Sequence, residues 1–128
     1  MIIKQYIKDF EALGMGTFVH FGLYSMLGQG EWAYHYINES ERAEYKRLKD
    51  SFNPHPNWAD ELAKTAKAAG SKYITLTTRH HDGFSLYDAC PISDYDAPHA
   101  LAGRYLIREF VDACNAERQE LIGGDLGA

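Results

Sequence analysis

Two short runs of the chain are apolar almost without interruption. Residues 16–22 read GTFVHFG, closed by a glycine at each end, and residues 72–78 read KYITLTT, rich in β-branched and aromatic side chains. Runs of this length and character predict strands buried on both faces, as in parallel sheets covered by helices. Elsewhere the apolar positions recur at helical spacing. Asn38, with Glu41 three positions on, is a capping-box start, and Ala43, Tyr45, Leu48 and Phe52 then fall roughly along one side. NWADELAKTAKAAG, residues 57–70, sets Trp58, Leu62, Ala66 and Ala69 on a stripe, with Asn57 as the candidate cap and Gly70 as the stop. RYLIREFVDACNAE, residues 104–117, predicts a third helix with Leu106, Ile107, Phe110, Val111 and Cys114 on one face. The order is strand, two helices, strand, helix, a β-α-β-α pattern of the α/β class.

Strands joined by helical connections pair in parallel with a right-handed crossover, so both strands end on the same edge of the sheet. That edge is where α/β proteins bind ligands. His20 ends the first run, and the second runs directly into TRHHDGF, residues 78–84. The topology therefore carries His20, His80 and His81 to one rim although they are far apart in sequence. The loop after the first strand, LYSMLGQGEWAYHYI, overhangs the same rim and delivers Glu31 and Trp32. A carboxylate beside an indole, facing imidazoles, suits a sugar: the apolar face of a pyranose lies on tryptophan, and its hydroxyls bond to histidine and glutamate.

Composition narrows the field. With 128 residues, 45% of them hydrophobic, the chain can bury one core of ordinary domain size. Thirteen basic residues stand against 18 acidic ones, net −5 and interspersed, which argues against a nucleic-acid partner. No stretch reaches the roughly 18 apolar residues that span a bilayer, and MIIKQYIKDFEALG lacks the apolar core of a signal peptide. The expectation is a soluble cytoplasmic protein, with no membrane partner, no cofactor and an oligomeric state left open. Cys90 and Cys114 form no CxxC pair and read as reduced and structural.

GTFVHFGLYS, GEWAY, FNPHPNWADELAKTAKAAGSKYITLTTRHHDGFSLYD and GRYLIREFVDAC, in this order and spacing, resemble the amino-terminal part of the α-L-fucosidases of glycoside hydrolase family 29. The resemblance covers roughly residues 10 to 117. It implies an irregular (β/α)8 TIM-like barrel, of which this chain holds about the first two β/α units. It also implies hydrolysis of α-linked L-fucose from glycans or glycosides with retention of configuration. Carried over position by position, it makes His20, Glu31, Trp32, His80 and His81 the residues that line the fucose pocket, with Glu31 the candidate acid/base. The family's nucleophile is an aspartate in a later barrel strand, outside this chain. Residues 1–128 are accordingly expected to be an amino-terminal fragment of the catalytic barrel, inactive alone. Where the family continues into a glycine turn and a third strand, this chain reads RQELIGGDLGA, so residues 118–128 are expected to be a truncated or non-native tail.

Plainer readings stand beside these. His80 and His81 can be loop imidazoles bonded to backbone, and His20 a satisfied core histidine. Tyr34, Tyr36 and Tyr45 read as core or helix packing, and Asp82 and Asp88 as loop and turn residues rather than catalysts. Two other function classes remain: a non-catalytic carbohydrate-binding or partner-binding module, and a small metal-binding domain built from His80, His81 and Asp82 with His20. Adjacent residues on an extended chain point to opposite sides, which counts against His80 and His81 chelating one ion together.

Overall fold

The computed structural model describes residues 2–117 and the backbone of 120–125. Helix α1 (Gln5–Leu13) leads into β1 (Thr17–Val19). A 3-10 turn (Leu23–Met26), the short α2 (Ala33–Tyr36) and α3 (Glu39–Lys46) follow. A second 3-10 turn (Arg47–Ser51) leads to α4 (Trp58–Ala68), β2 (Tyr73–Arg79), α5 (Leu106–Glu117) and β3 (Glu120–Asp125). The strands form one all-parallel sheet in the order β1-β2-β3, with Thr17 beside Ile74 and Ile74 beside Leu121. The α/β class and the parallel pairing of the first two strands are as the apolar runs predict.

Local chemistry sets the helix ends. The Glu41 N–H donates to Asn38 Oδ1 at 3.0 Å and the Asn38 N–H to Glu41 Oε2 at 2.9 Å, the reciprocal pair read from the sequence. Asn57, by contrast, makes no side-chain capping bond; acidic Asp60 and Glu61 in the first turn of α4 favour that end electrostatically instead. Helix α4 stops at Gly70, whose φ of 90° suits glycine and whose N–H donates to the Lys67 carbonyl at 2.9 Å.

Ile74 and Leu76 of the central strand are fully buried, with Leu23, Leu86 and Leu106 around them. Helix α4 turns Ala59, Ala63 and Ala66 inward, a face rotated slightly from the predicted stripe; Leu62 lies at its margin and Ala69 is exposed. Small residues there let the helix approach closely. Leu106, Phe110, Ala113 and Cys114 form the buried face of α5. Between these two helices the Trp58 indole N–H donates to Glu109 Oε2 at 2.7 Å. A Cβ on Gly16 would stand 2.2 Å from the Tyr73 ring, so only glycine lets β1 enter beside β2 at this point.

Several expectations are corrected. The sequence reading has no helix before β1, yet Tyr6, Ile7, Phe10 and Leu13 have helical spacing and α1 forms there, with Phe10 tilted against Tyr73 at 5.0 Å between ring centres. Within residues 118–128, where a truncated or non-native tail is expected, Glu120–Asp125 form β3, a strand the sequence reading does not name, which pairs with β2 from Tyr73 beside Glu120 to Arg79 beside Asp125. An open strand edge templates its neighbour through backbone bonds alone, so Gly123 and Gly124, poor strand formers, do not prevent pairing. Residues 118–119 and 126–128 of the expected tail lie outside the described residues. Tyr36 is 80% exposed and not a packing residue, because the short α2 has no second turn to bury it. Both cysteines are free; Cys114 is buried, while Cys90 is exposed and packs into no core. No helix among the described residues is long and apolar enough to cross a membrane.

Candidate functional site

Parallel pairing brings the carboxyl ends of β1 and β2 to one edge, Val19 beside Leu76. His20 follows β1 directly, and its ring centre lies 5.0 Å from that of His80, edge to face. His80 also meets His81 at 4.5 Å, Tyr24 at 5.5 Å and Trp32 at 5.9 Å. Trp32 stacks on His81 at 4.3 Å with the planes 30° apart. Four of the five predicted residues thus form one array of rings. Glu31, half-buried, precedes Trp32, and its charge is felt at His80 and Tyr24.

The turn that presents the two histidines is built by the residues after them. The Gly83 N–H donates to the His80 carbonyl at 2.9 Å, with Gly83 at φ 78°. Asp82 Oδ1 accepts the Phe84 N–H at 3.0 Å, and Asp82 Oδ2 accepts the Tyr45 hydroxyl at 2.6 Å. The Leu86 N–H then returns to the Thr78 carbonyl at 2.8 Å. His80 is consequently buried, at 3% exposure, while His81 faces outward. Asp82 already spends both oxygens on protein donors, so it is not free to join the two histidines around an ion.

Burial lowers the pKa of His80, and the neighbouring imidazoles of His81 and His20 reinforce the effect against the opposing carboxylates of Asp82 and Glu31. His80 is therefore neutral at neutral pH. Nδ1 of both His20 and His80 is buried with no hydrogen-bond partner. Burial pushes the Tyr24 hydroxyl up to about 12, so it stays protonated beside His80. A stability consequence follows for His80. Its ordinary pKa is 6.5, and the folded value is lower. Between the two values the unfolded chain binds more protons, so stability is highest above the ordinary value and is lost as pH falls below it. In the active protein that carries these residues, thermal midpoints measured from pH 8 to pH 5 are expected to drop on the acid side, and less so for His80→Asn. An equal drop in both would remove His80 as the cause.

The array is a wall rather than an enclosed cavity: Trp32 is 42% exposed. Concavities open elsewhere. One of about 340 Å³ is lined by Leu86, Tyr87, Asp88, Tyr105, Ile107 and Arg108. Another of about 250 Å³ is lined by Arg79, Gly83, Ser85 and Cys90 among others. Sequence reasoning assigned no part in the site to Tyr24 or Tyr45; nothing local marks either one, since both reach the turn only through the tertiary fold. It also passed over Asp96, which is fully buried. Burial alone would raise its carboxyl, but the Ala89 N–H and the ring and N–H of His99 outweigh it and hold the group below the usual carboxylate range. Among the described residues Asp88, Asp96 and His99 are spaced as metal ligands are, within 4.8 Å; they are not the histidine set weighed from the sequence.

Comparison with known proteins gives one consistent picture. The family profile described as Alpha-L-fucosidase matches residues 3–122. The tissue α-L-fucosidase of Homo sapiens is 32% identical over 99 residues, 66% of this chain and 21% of that protein. The chain thus spans about a fifth of the length of the curated relatives it matches. Among solved structures, α-L-fucosidase isoenzyme 1 from Paenibacillus thiaminolyticus superposes with a TM-score of 0.82 at 41% identity, over 94% of this chain and 28% of that one. A GH29 α-L-fucosidase from Bacteroides thetaiotaomicron, a mutant with a trapped covalent intermediate in complex with 2-fluoro-fucosyl fluoride, gives 0.82 at 28% identity, over 97% and 30%.

Proposed function

The chain belongs to the α-L-fucosidase family, and on that premise we propose that it forms the amino-terminal part of the catalytic barrel of a retaining enzyme that releases α-linked L-fucose from glycans or glycosides. The observation that carries the reading is the ring array at the strand ends, His80 meeting His20 at 5.0 Å and His81 stacked on Trp32 at 4.3 Å. In this proposal Trp32 offers its face to the apolar side of the sugar. The imidazoles of His20 and His80 take its hydroxyls through their ring nitrogens, and His81 bonds from the rim. Later barrel strands close the open wall into a pocket and supply the nucleophilic aspartate. The covalent intermediate trapped in the Bacteroides relative supports the retaining course for this chain as well.

Retention needs two carboxyl groups about 5 to 5.5 Å apart, one attacking the anomeric carbon while the other protonates the leaving oxygen and then activates water. Glu31 is the acid/base of the proposal: it stands next to Trp32, half-buried and within electrostatic reach of His80. Neutral His80 neither repels a cationic sugar transition state nor gives up a hydrogen bond to water.

The test is made on the active protein that carries these residues. A fucose-mimicking iminosugar should bind and galactose should not compete. His80→Ala and His81→Ala should each weaken iminosugar binding by about 1 to 3 kcal/mol, because each deletes a partner of a buried hydroxyl. Unchanged iminosugar affinity in both variants would end the assignment of these histidines to the sugar.

A further inference from the structure

We infer that Tyr45, on α3, is a positioning residue for the histidines of the sugar site, acting through Asp82; the inference rests on the proposed role of His80 and His81 as fucose contacts. Tyr45 and Asp82 are 4% and 5% exposed, and the hydroxyl of one donates to the carboxylate of the other at 2.6 Å. Asp82 directly follows the two histidines. Its second oxygen holds the Phe84 N–H at 3.0 Å, and the Gly83 N–H closes back on the His80 carbonyl at 2.9 Å. Residues 80–84 are therefore a small, internally bonded turn that Tyr45 ties to α3. The tie is itself braced, since the Tyr34 ring meets that of Tyr45 edge-on at 5.2 Å and the Arg42 guanidinium lies over Tyr34 at 5.0 Å.

A purely structural contact at this place would be served better by two apolar side chains. Burying a carboxylate is costly, and replacing such a buried polar pair with apolar residues of equal volume is often neutral or stabilising. Burial does push the Asp82 carboxyl up from its ordinary pKa, against the bonds from Tyr45 and Phe84. What the pair supplies that an apolar contact would not is direction: two bonds, one to each oxygen, fix the rotation of the turn and so the rings of His80 and His81. The Asp82 charge also acts on His80, raising its pKa against burial. A sugar site must hold its hydrogen-bonding groups to a fraction of an ångström, which is the service such a bracket performs.

Tyr45→Phe deletes one oxygen and keeps the ring, so it separates direction from packing. In the active protein the expected result is iminosugar affinity about tenfold weaker and KM higher with kcat less affected. The imidazole NMR signals of His80 and His81 should shift, while that of His99, held by a separate carboxylate, stays in place. Asp82→Asn keeps the shape and one acceptor and should give a smaller loss. The double variant should lose little more than Tyr45→Phe alone, as groups acting in one unit do. Wild-type affinity with unmoved His80 and His81 signals in Tyr45→Phe would overturn the inference, and so would strictly additive losses in the double variant. If Tyr45→Phe does not fold, Asp82→Asn carries the same two readouts. If the wild-type protein itself fails to bind the iminosugar, the fucose reading falls, and the inference that rests on it is overturned with it; normal wild-type binding with an indifferent Tyr45→Phe overturns the positioning role alone.

Discussion

Expressed as these 128 residues alone, the chain is expected to turn over no aryl α-L-fucoside above the buffer blank and to fold poorly. Two carboxylates act on His80, those of Glu31 and Asp82. Asp82 cannot serve as a nucleophile: it is buried, both its oxygens are bonded to protein donors, and burial favours its protonated form. One free carboxylate can protonate a leaving group or accept a proton, but it cannot also form the glycosyl-enzyme bond that retention requires. Packing works against the isolated chain as well. Ile3 just before α1, Tyr6, Ile7 and Phe10 along it, and Phe18 on β1 are between 38% and 65% exposed. At roughly 25 cal/mol per Å² of apolar area, covering that surface is a substantial part of the balance against an ordering cost of about 1 to 2 kcal/mol per residue. Near-ultraviolet dichroism, size-exclusion chromatography and the fucoside assay, run beside a full-length relative, test both halves. Cooperative melting together with turnover would overturn this expectation.

In an active protein that carries these residues, Glu31→Gln is expected to lower kcat on a natural glycan by about 10²- to 10⁴-fold, the usual contribution of a positioned general acid/base. The amide keeps the size and hydrogen-bonding reach of Glu31 but has no proton to deliver, so KM should change little. A substrate whose leaving group needs no protonation, such as a fucosyl fluoride, should lose far less in its first step. The opposite split decides against the role: KM raised with kcat nearly intact would make Glu31 a sugar ligand, and the acid would have to lie on another element. Glu31→Gln should also remove one of the charges that raise the pKa of His80, and so lower it further.

The convergence of distant histidines was legible in the sequence because it needs only topology. Two buried runs joined by helices must end on the same edge, whatever the side chains around them do. Their detailed surroundings were not legible. Tyr24 and Tyr45 belong to no motif with His80 or Asp82, and a tyrosine at helical spacing looks the same whether its hydroxyl meets water or a buried carboxylate. The wall-like openness of the site was equally hidden, because it depends on which strands stand opposite.

By itself the sequence determined what is governed by neighbours along the chain: strand runs from β-branched and aromatic residues, the Asn38–Glu41 cap, the stop at Gly70, and the rim on which His20, His80 and His81 meet. The tertiary structure decided what depends on partners remote in sequence. It made a strand of Glu120–Asp125 despite two glycines, because β2 offered an unpaired backbone edge. It left Tyr36 in solvent, anchored α1 through Phe10 on Tyr73, and turned Asp82 inward to the hydroxyl of Tyr45. Periodicity and capping are properties of a few consecutive residues and can be read from them; a buried hydrogen bond or a templated strand exists only once the chain has brought its partner alongside.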